Sequence, residues 1–335
     1  MNMRTEHANS PRVSVLIVNH NYGRFLHDSL ASVRAQTATN YEVVVADDGS
    51  TDDSSLVCDG FADLGVRFVT GKHVGLARNL ERGLQQCNGT FVAFLSADDR
   101  WLPDHLATCL TALDEHKEAA IAYSSLLTID ESGDLVSAKP SVRVARSLPS
   151  GKIDPNDLLP SQFIPTQAAV VRRDAILRIG GFDTRLHYAE LDLFIRLAGL
   201  YPIVYTSRAT VEYRSHGSNL SRDHEKALAA RLALYEKHLA TSPQLRRRLA
   251  ARAYAKTAYR QLRTATERAS VVRARRNLIR AIRLDPRTTI RPLNLATLGA
   301  ALLGGAFLPV RSLYENHLAR SRLKLAVQRL LLMHR

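Results

Sequence analysis

The chain has 335 residues, of which 45% are hydrophobic and 23% charged, so it can form a sizeable core and about two domains. Its three cysteines, Cys58, Cys87 and Cys109, are too few and too irregularly spaced for a disulfide framework, which indicates a reducing compartment. The segment MNMRTEHANSPR has no apolar core, so we expect no secretory signal and a cytoplasmic location. We interpret residues 1–10 as a flexible N-terminus.

The net charge of +14 is unevenly distributed along the chain. Residues 221–335 carry 25 Lys and Arg against 6 Asp and Glu, whereas residues 1–220 carry 21 against 26. This asymmetry predicts a globular domain over residues 11–220 and a basic helical region over residues 221–335 that meets an anionic surface. A solvated helical surface is the alternative. The apolar stretch at residues 295–310 is shorter than the roughly 20 residues of a spanning helix, so we interpret it as a buried or membrane-dipping segment.

Predicted strands and helices alternate in the first half of the chain. Continuous apolar runs predict buried strands at residues 13–19, 41–46, 66–70, 90–96 and 121–129. Helical spacing of apolar residues predicts the intervening helices at residues 24–36, 75–86 and 103–116. This repetition predicts an α/β fold with a mostly parallel central sheet flanked by helices.

The following part of the chain is less regular. A Pro- and Ser-rich stretch at residues 134–165 predicts a loop or insertion. We then expect strands at 167–171, 203–206 and 210–213, and helices at 173–179 and 187–198. From Arg222 onward the pattern is helical, with one helix beginning at Pro243 and another ending before Asp285-Pro286.

Polar clusters follow three of the predicted strands: HNYG, DDGS and SADD. Because ligands bind beyond the carboxyl ends of parallel strands, we expect the three clusters to converge into one site. Asp98 and Asp99 are adjacent carboxylates at the end of a buried strand, where they repel each other unless a cation lies beside them. A solvated Asp-rich turn is the alternative for each cluster alone. The chain contains no GxGxxG motif, no P-loop and no zinc-ligand spacing.

The chain resembles the family 2 glycosyltransferases over residues 11–216, in four ordered blocks: VSVLIVNHNYGRFLHDSLASVRAQT, YEVVVADDGSTDDS, GLARNLERGLQQCNGTFVAFLSADDRWLPDHL and GGFDTRLHYAELDLFIRLA. This resemblance implies the GT-A nucleotide-diphospho-sugar transferase fold. It also implies inverting transfer of a sugar from a nucleotide-sugar, with a UDP-sugar as the default donor. The implied acceptor is a hydroxyl of a glycan or lipid-linked molecule, as in bacterial cell-surface polysaccharide synthesis.

The resemblance also implies roles for individual residues. Asp48 is implied to accept the base N3–H, within a nucleotide-binding set of Val18, Asn19, His20, Asn21, Asp47, Asp48, Arg78, Ala97 and Asp98. Mg²⁺ or Mn²⁺ is implied to bind Asp98, Asp99 and His216, where it neutralises charge on the leaving diphosphate. The donor sugar, acceptor or diphosphate is implied to face Gly181, Phe182, Asp183 and Arg214. Helix capping by Asp47 and an exposed helical position for Arg78 are the alternatives.

Two positions depart from the commonest family pattern. Ser96 stands where a third Asp is usual, which implies that fewer side chains hold the metal. Ala189 and Glu190 align with the first two acids of the usual Glu-Asp-x-Asp-Leu block, so the resemblance implies Glu190 as the general base. We interpret Asp192, two residues further on, as structural.

Other interpretations of the sequence stay open. A nucleotidyltransferase would share the acidic metal residues, but VNHNYGRF lacks the Gly-rich basic loop of that class. A nucleic-acid-binding or scaffold protein would use the basic region, although its tyrosines are too widely spread to favour nucleic acid. Ser96 and Ala189 raise the possibility of a non-catalytic relative. We expect the partner of the basic region to be the cytoplasmic membrane surface.

Overall fold

The protein is described by a computed structural model that covers residues 10–137, 150–151, 154, 158–160, 164–219, 223–263 and 268–287. The chain divides into two compact units, Met1–Asn219 and Leu220–Arg335. The predicted flexible N-terminus, up to residue 9, and the apolar stretch at residues 295–310 lie outside the described residues.

The first unit alternates strands and helices along the chain. Its described strands are β1 Val13–Asn19, β2 Tyr41–Asp47, β3 Arg67–Val69, β4 Phe91–Ser96, β5 Arg100–Trp101, β6 Ile121–Ile129, β7 Leu135–Ser137, β8 Ser150–Gly151, β9 Ala169–Arg172 and β10 Ile203–Arg214. Its described helices are α1 Gly23–Arg34, α2 Ser54–Asp59, α3 Leu76–Leu84, α4 His105–Glu115, α5 Arg173–Arg178 and α6 Ala189–Ala198.

These strands form one mixed sheet in the order β3-β2-β1-β4-β9-β6-β10-β5, with β7 beside β6 and β8 beside β10. β1 pairs in parallel with β2 and β4, and β10 pairs in parallel with β6. β9 runs antiparallel to both of its neighbours, β4 and β6. The predicted α/β fold is therefore confirmed, with an antiparallel strand in the centre that an apolar run such as QAAVV cannot reveal.

The centre of the sheet is buried on both faces, as the continuous apolar strands predicted. On one face, Val15 and Ile17 of β1 belong to the same buried cluster as Leu26 and Leu30 of α1. On the other face α3 approaches closely, because a Cβ on Gly83 would lie 2.4 Å from a methyl carbon of Leu16. Each fully buried Leu or Ile contributes about 1.5–3 kcal/mol to this core.

β10 corrects the prediction of two short strands at residues 203–206 and 210–213. It is a single strand of 12 residues whose register against β6 shifts between Tyr205 and Ala209. Ser207 in this bulge has a φ of 53°, a conformation that polar turn residues tolerate better than β-branched ones. The polar residues of the bulge interrupt the apolar pattern, which made one bent strand resemble two.

The second unit is helical where it is described: α7 His224–His238, α8 Pro243–Arg263 and α9 Arg268–Leu284. The beginning at Pro243 and the end before Asp285-Pro286 confirm the predicted boundaries. Buried polar side chains link the three helices, since Gln261 and Asn277 both donate to the Glu225 carboxylate, at 2.6 and 3.1 Å. None of the helices in the described ranges is long and apolar enough to cross a bilayer.

Candidate active site

The carboxyl ends of β1, β2 and β4 meet at one edge of the sheet. In the parallel register Asn19 lies opposite Asp47, and Val18 lies opposite Ser96. The Asn19 amide donates to the Asp47 carboxylate at 2.8 Å and to the Ser54 hydroxyl at 2.8 Å. The fold thus brings the three predicted polar clusters together.

Asp47 fixes the DDGS turn. Its carboxylate accepts from the Ser50 N–H at 2.9 Å and from the Thr70 hydroxyl at 2.8 Å, in addition to Asn19. Burial alone would raise the pKa of Asp47, but the hydrogen bonds from Ser50, Asn19 and Thr70 outweigh it and lower the pKa. Asp47 is therefore an ionised residue that shapes the turn, and it makes no side-chain cap to helix α2.

The neighbouring predicted residues form the rim of this turn. Asn21 adopts a φ of 56°, which Asn tolerates, and its side-chain carbonyl accepts from the Thr51 N–H at 2.8 Å. Ala97 is fully buried and donates its N–H to the Val18 carbonyl at 3.1 Å. The Ala97 contact holds the ends of β1 and β4 side by side, and the Asn21 contact joins the end of β1 to the turn after β2.

Asp48 connects the DDGS turn to the segment before α3. Its carboxylate accepts from the N–H groups of Val74 and Gly75 at 2.7 and 2.8 Å. His73 Nδ1 lies 2.9 Å from the same carboxylate, and the Arg82 guanidinium lies 3.5 Å away. Asp48 is buried, and the Arg82 guanidinium lies beside its carboxylate.

His20 and His73 form a pair at this end of the site. Their ring centroids are 4.4 Å apart, and His20 Nδ1 lies 2.9 Å from the Asp48 carbonyl oxygen. Within the described part of the chain, His20, Asp48 and His73 are the three side chains whose ligand atoms lie close enough to chelate one metal ion, within 4.8 Å of one another. His73 was not predicted from the sequence, because only the tertiary fold brings it next to His20.

Arg78 is exposed on α3, as the alternative interpretation expected. Arg82, four residues and about one turn further along α3, is the arginine that approaches Asp48. Arg82 could have been predicted as a second candidate from the position of Arg78, because residues four apart lie on the same face of a helix.

The acidic pair after β4 points in two directions. Asp98 Oδ2 lies 2.9 Å from His216 Nε2 and accepts from the Asn219 amide at 3.2 Å. Asp99 instead accepts from the Arg214 N–H at 2.8 Å and is almost completely buried. Burial and the adjacent charge of Asp98 raise the pKa of Asp99 well above its ordinary value. Of the three predicted metal ligands, the fold places Asp98 and His216 face to face, whereas the Asp99 carboxylate contacts the backbone of Arg214.

This donor set fits a divalent cation. A carboxylate oxygen of Asp98 and an imidazole nitrogen of His216 converge, 2.9 Å apart.

Arg214 is predicted to face the substrate, and the described contacts of its guanidinium are with the protein. The guanidinium donates to the carbonyl oxygens of Asp98 and Glu131, each at 3.0 Å, and to the Asp28 carboxylate at 2.7 Å. Only 1% of Arg214 is exposed. A buried guanidinium needs hydrogen-bond acceptors, and here two carbonyl oxygens and a carboxylate of the protein supply them. Arg214 therefore positions the backbone of the acidic pair.

Replacing Arg214 with Met is expected to lower the free energy of unfolding by about 3 kcal/mol, because three buried or partly buried acceptors lose their donor. Urea denaturation measures this change. Arg24→Met is the matched control, since Arg24 pairs with Glu131 at the surface and should cost less than about 1 kcal/mol. Equal losses for the two variants would contradict a positioning role for Arg214.

The GGFD loop is held by charged side chains of two helices. Gly180 and Gly181 have φ values of 81° and 69°. The Phe182 N–H donates to the Glu81 carboxylate at 2.9 Å. Arg196 donates to the Gly181 carbonyl at 2.7 Å and to the buried Asp192 carboxylate at 2.8 Å, which agrees with a structural Asp192.

The two loop glycines provide a matched pair of substitutions. Gly180→Ala should cost only the strain of a positive φ, about 1–2 kcal/mol, because nothing lies within 4 Å of the added Cβ. Gly181→Ala should cost about 1–3 kcal/mol more, because its Cβ would lie 2.6 Å from the Glu81 carboxylate and displace it from the Phe182 N–H. Thermal unfolding measures both; equal costs would show that Glu81 does not hold the loop.

The last loop residue, Asp183, has its carboxylate engaged by the protein. Arg185 Nε and Nη2 each donate to it at 2.8 Å, in a bidentate pair. Phe182 is buried, with its ring 5.9 Å from that of Phe94 in β4. The loop is thus anchored on the sheet, and residues 184–188 connect it to α6.

Glu190 lies in the first turn of α6 and is half-buried. Its Oε2 atom is enclosed and has no hydrogen-bond partner among the described residues. Burial raises the pKa of Glu190 to about 7, and its own backbone N–H offsets only part of this effect. A carboxyl group with such a pKa can take up a proton near neutral pH, as a general base must.

The mixed sheet, the Asp-anchored turn and the acidic pair at the strand ends are features of a transferase that handles nucleotide-sugars. Residues 14–180 match Glycosyl transferase family 2, and the chain belongs to this family. The predicted family is confirmed, and with it the predicted enzyme class, a glycosyltransferase.

Known relatives match part of the chain. The chain is 26% identical over 214 residues to a chondroitin synthase of Escherichia coli, which covers 63% of this chain and 30% of that protein. It is 26% identical over 216 residues to the uncharacterized glycosyltransferase RP339 of Rickettsia prowazekii, covering 62% and 65%. It is 29% identical over 192 residues to a PGL/p-HBAD biosynthesis glycosyltransferase of Mycobacterium tuberculosis, covering 56% and 70%. The match thus spans less than two thirds of the first two relatives.

Solved structures agree with the fold. The first 349 residues of S. aureus TarS superpose with a TM-score of 0.58 at 17% identity, covering 87% of this chain and 88% of that one. The mannosyltransferase PcManGT from Pyrobaculum calidifontis, in complex with GDP-Man and Mn²⁺, superposes with a TM-score of 0.57 at 16% identity, covering 92% and 89%. The GT-A fold expected from the sequence is confirmed.

Proposed function

We propose that this protein is an inverting glycosyltransferase that moves a sugar from a nucleotide-diphosphate sugar to an acceptor hydroxyl. The observation that carries this proposal is the combination of the Asp98–His216 pair at the strand ends with a half-buried Glu190 whose pKa is raised to about 7. The first can hold a cation beside a diphosphate, and the second can remove a proton from an acceptor.

The nucleotide would lie along the ends of β1 and β2. Asp48 supplies a fixed carboxylate for the base N3–H, and the imidazoles of His20 and His73 flank the same position. Val18, Asn19, Asn21 and Ala97 would line the nucleotide through the backbone of the strand ends. TarS in complex with UDP-GlcNAc and PcManGT in complex with GDP-Man are both structural neighbours, so the fold accommodates either base. We take UDP as the default.

Asp98 and His216 would hold the divalent cation, with Asn219 orienting the carboxylate. When bound, the cation supplies positive charge that stabilises the leaving diphosphate. The Arg214 guanidinium donates to the Asp98 carbonyl oxygen, and the Arg214 N–H donates to the Asp99 carboxylate. These two contacts fix the backbone of the acidic pair.

Glu190 would accept the proton of the acceptor hydroxyl. The acceptor oxygen then forms a bond to the sugar C1 as the bond from C1 to the nucleotide diphosphate breaks, and the electron pair leaves with the diphosphate. Because attack and departure occur on opposite faces of the sugar, the anomeric configuration inverts. The GGFD loop, anchored by Glu81 and Arg196, sets the position of this base.

The acceptor would be a glycan or a lipid-linked saccharide of a bacterial cell surface. Support comes from the relative named chondroitin synthase. The donor screen described next tests which sugar is transferred, and its saccharide acceptors test which acceptor is used.

The test is a donor screen of the full chain with UDP-, GDP- and dTDP-sugars in the presence of Mn²⁺. We expect one nucleotide class to release nucleoside diphosphate, and more rapidly when simple saccharide acceptors are present. NMR of the product should give the anomeric configuration opposite to that of the donor. A retained configuration would contradict the mechanism, and nucleotide binding without turnover would favour the non-catalytic alternative.

A further inference from the structure

Helix α9 of the second unit has two different faces. One face is small and apolar, where Ala274 and Leu278 are buried against Ala258 of α8. The opposite face is exposed and carries most of the charge of the helix. α9 contains six Arg and no Asp or Glu over its 17 residues.

We call the exposed side of α9 the arginine face. Its two apolar residues, Val272 and Ile279, are 62% and 40% exposed, although large aliphatic side chains are usually buried. They are seven residues apart, so they lie on one stripe of the helix. The arginine face is completed by five exposed arginines that surround this stripe: Arg273, Arg275, Arg276, Arg280 and Arg283.

The positive charge of this face is not neutralised by the described residues. Within residues 223–263 and 268–287, none of the five arginines forms an ion pair with a carboxylate. Arg273 donates to the Ser270 hydroxyl of its own helix, and the Arg280 guanidinium lies 5.8 Å from the centroid of the Tyr254 ring. These contacts orient two guanidinium groups without removing their charge.

An exposed cationic face with apolar side chains along its centre matches an anionic lipid surface. The arginines can bind lipid phosphates, while Val272 and Ile279 can enter the boundary between headgroups and acyl chains. A nucleic-acid backbone offers no apolar counterpart to these two side chains. α9 also lacks the aromatic residues on which bases stack.

We propose that the arginine face of α9 docks the helical unit onto an anionic membrane. This inference stands independently of the sugar-transfer chemistry, because no residue of the arginine face belongs to the site in the first unit. Each arginine near an anionic surface is expected to raise binding roughly fivefold at low salt.

The experiment is co-sedimentation of the full chain with vesicles of phosphatidylcholine alone or with 30% phosphatidylglycerol. We expect binding to require the anionic lipid and to weaken at high salt. The double variant Arg276→Gln/Arg283→Gln should bind roughly 25-fold more weakly. Ile279→Ser should also weaken binding, and this loss should persist at high salt.

The matched control is Arg247→Gln/Arg248→Gln, which removes the same charge from exposed positions of α8. It should weaken vesicle binding much less than the α9 variant does. Residues 288–335 stay unchanged in every variant, so the comparison isolates α9. Circular dichroism and nucleotide binding verify that each variant is folded.

Three results would overturn the proposal: binding that ignores lipid charge, equal losses for the α8 and α9 variants, or tighter binding to duplex DNA than to anionic vesicles. None of these results would affect the donor screen, so this inference and the proposed function fail separately.

Discussion

Glu190→Gln should lower kcat by about 10²–10⁴-fold, the usual contribution of a general base, while donor binding is retained. The amide matches the carboxyl group in shape but cannot accept a proton at neutral pH. Single-turnover transfer measures the loss of rate, and calorimetry with the nucleotide measures donor affinity. Glu118→Gln, at an exposed carboxylate of the same unit, is the control and should leave both unchanged. Full activity of Glu190→Gln would remove Glu190 from the mechanism.

The pH dependence of the wild-type enzyme provides a second test of Glu190. The base must be deprotonated, and burial raises its pKa to about 7. We therefore expect kcat/KM to fall about tenfold per pH unit below 7 and to level off above it. A flat profile between about pH 5.5 and 8.5 would contradict this assignment.

The same raised pKa affects stability in a defined direction. Below the ordinary pKa of a Glu, the carboxyl group is protonated in both folded and unfolded chains and stability is unaffected. As the pH rises from the ordinary pKa of a Glu to about 7, the unfolded chain releases this proton while folded Glu190 retains it, so the folded protein loses roughly 3 kcal/mol relative to Glu190→Gln, and the loss is complete above about pH 7. Urea denaturation at pH 5 and pH 8 should therefore show that the variant gains much more stability at pH 8 than at pH 5.

Asp98→Asn should weaken Mn²⁺ binding by at least about 100-fold and abolish metal-dependent transfer. Asn keeps the shape of Asp98 and its contact with Asn219 but removes the negative charge beside His216. Changes to outer-shell partners already cost about 10–100-fold in metal affinity, so the loss of a direct ligand should cost at least as much. Electron paramagnetic resonance of free Mn²⁺ measures the affinity.

Asp134→Asn is the matched control for Asp98→Asn. Asp134 is an exposed Asp of the same unit, so Mn²⁺ affinity should stay within about twofold of the wild type. His216→Ala should resemble Asp98→Asn in metal binding. If Asp98→Asn and His216→Ala both retain wild-type Mn²⁺ affinity, the metal site lies elsewhere, and the His20–Asp48–His73 group becomes the position to examine.

Local sequence predicted the central strands because their burial is continuous. The observed bounds of β1 and β6 coincide with the predicted ones, and β2 and β4 differ by one residue at one end. The two-residue strand β5 and the antiparallel direction of β9 could not be predicted, since both depend on tertiary pairing. The bulge in β10 was missed because polar residues interrupted its apolar pattern.

The positions of Asp47, Asp48 and Asp98 were predictable, because each of these residues lies at or just after the end of a predicted strand. The site was not predictable where the neighbour is distant in sequence. His73 reaches His20, and Asn219 reaches Asp98, only after folding. For Arg214 the motif indicated the right region but not the burial of the guanidinium, which depends on acceptors from three separate segments.

The central claim is that the strand ends form a metal-dependent nucleotide-sugar site. It is tested most directly by calorimetric titration of UDP, GDP and dTDP into the full chain, with and without Mn²⁺. We predict that one nucleotide binds in the presence of Mn²⁺ and much more weakly in its absence. Failure of all three nucleotides to bind, with or without the metal, would contradict the claim.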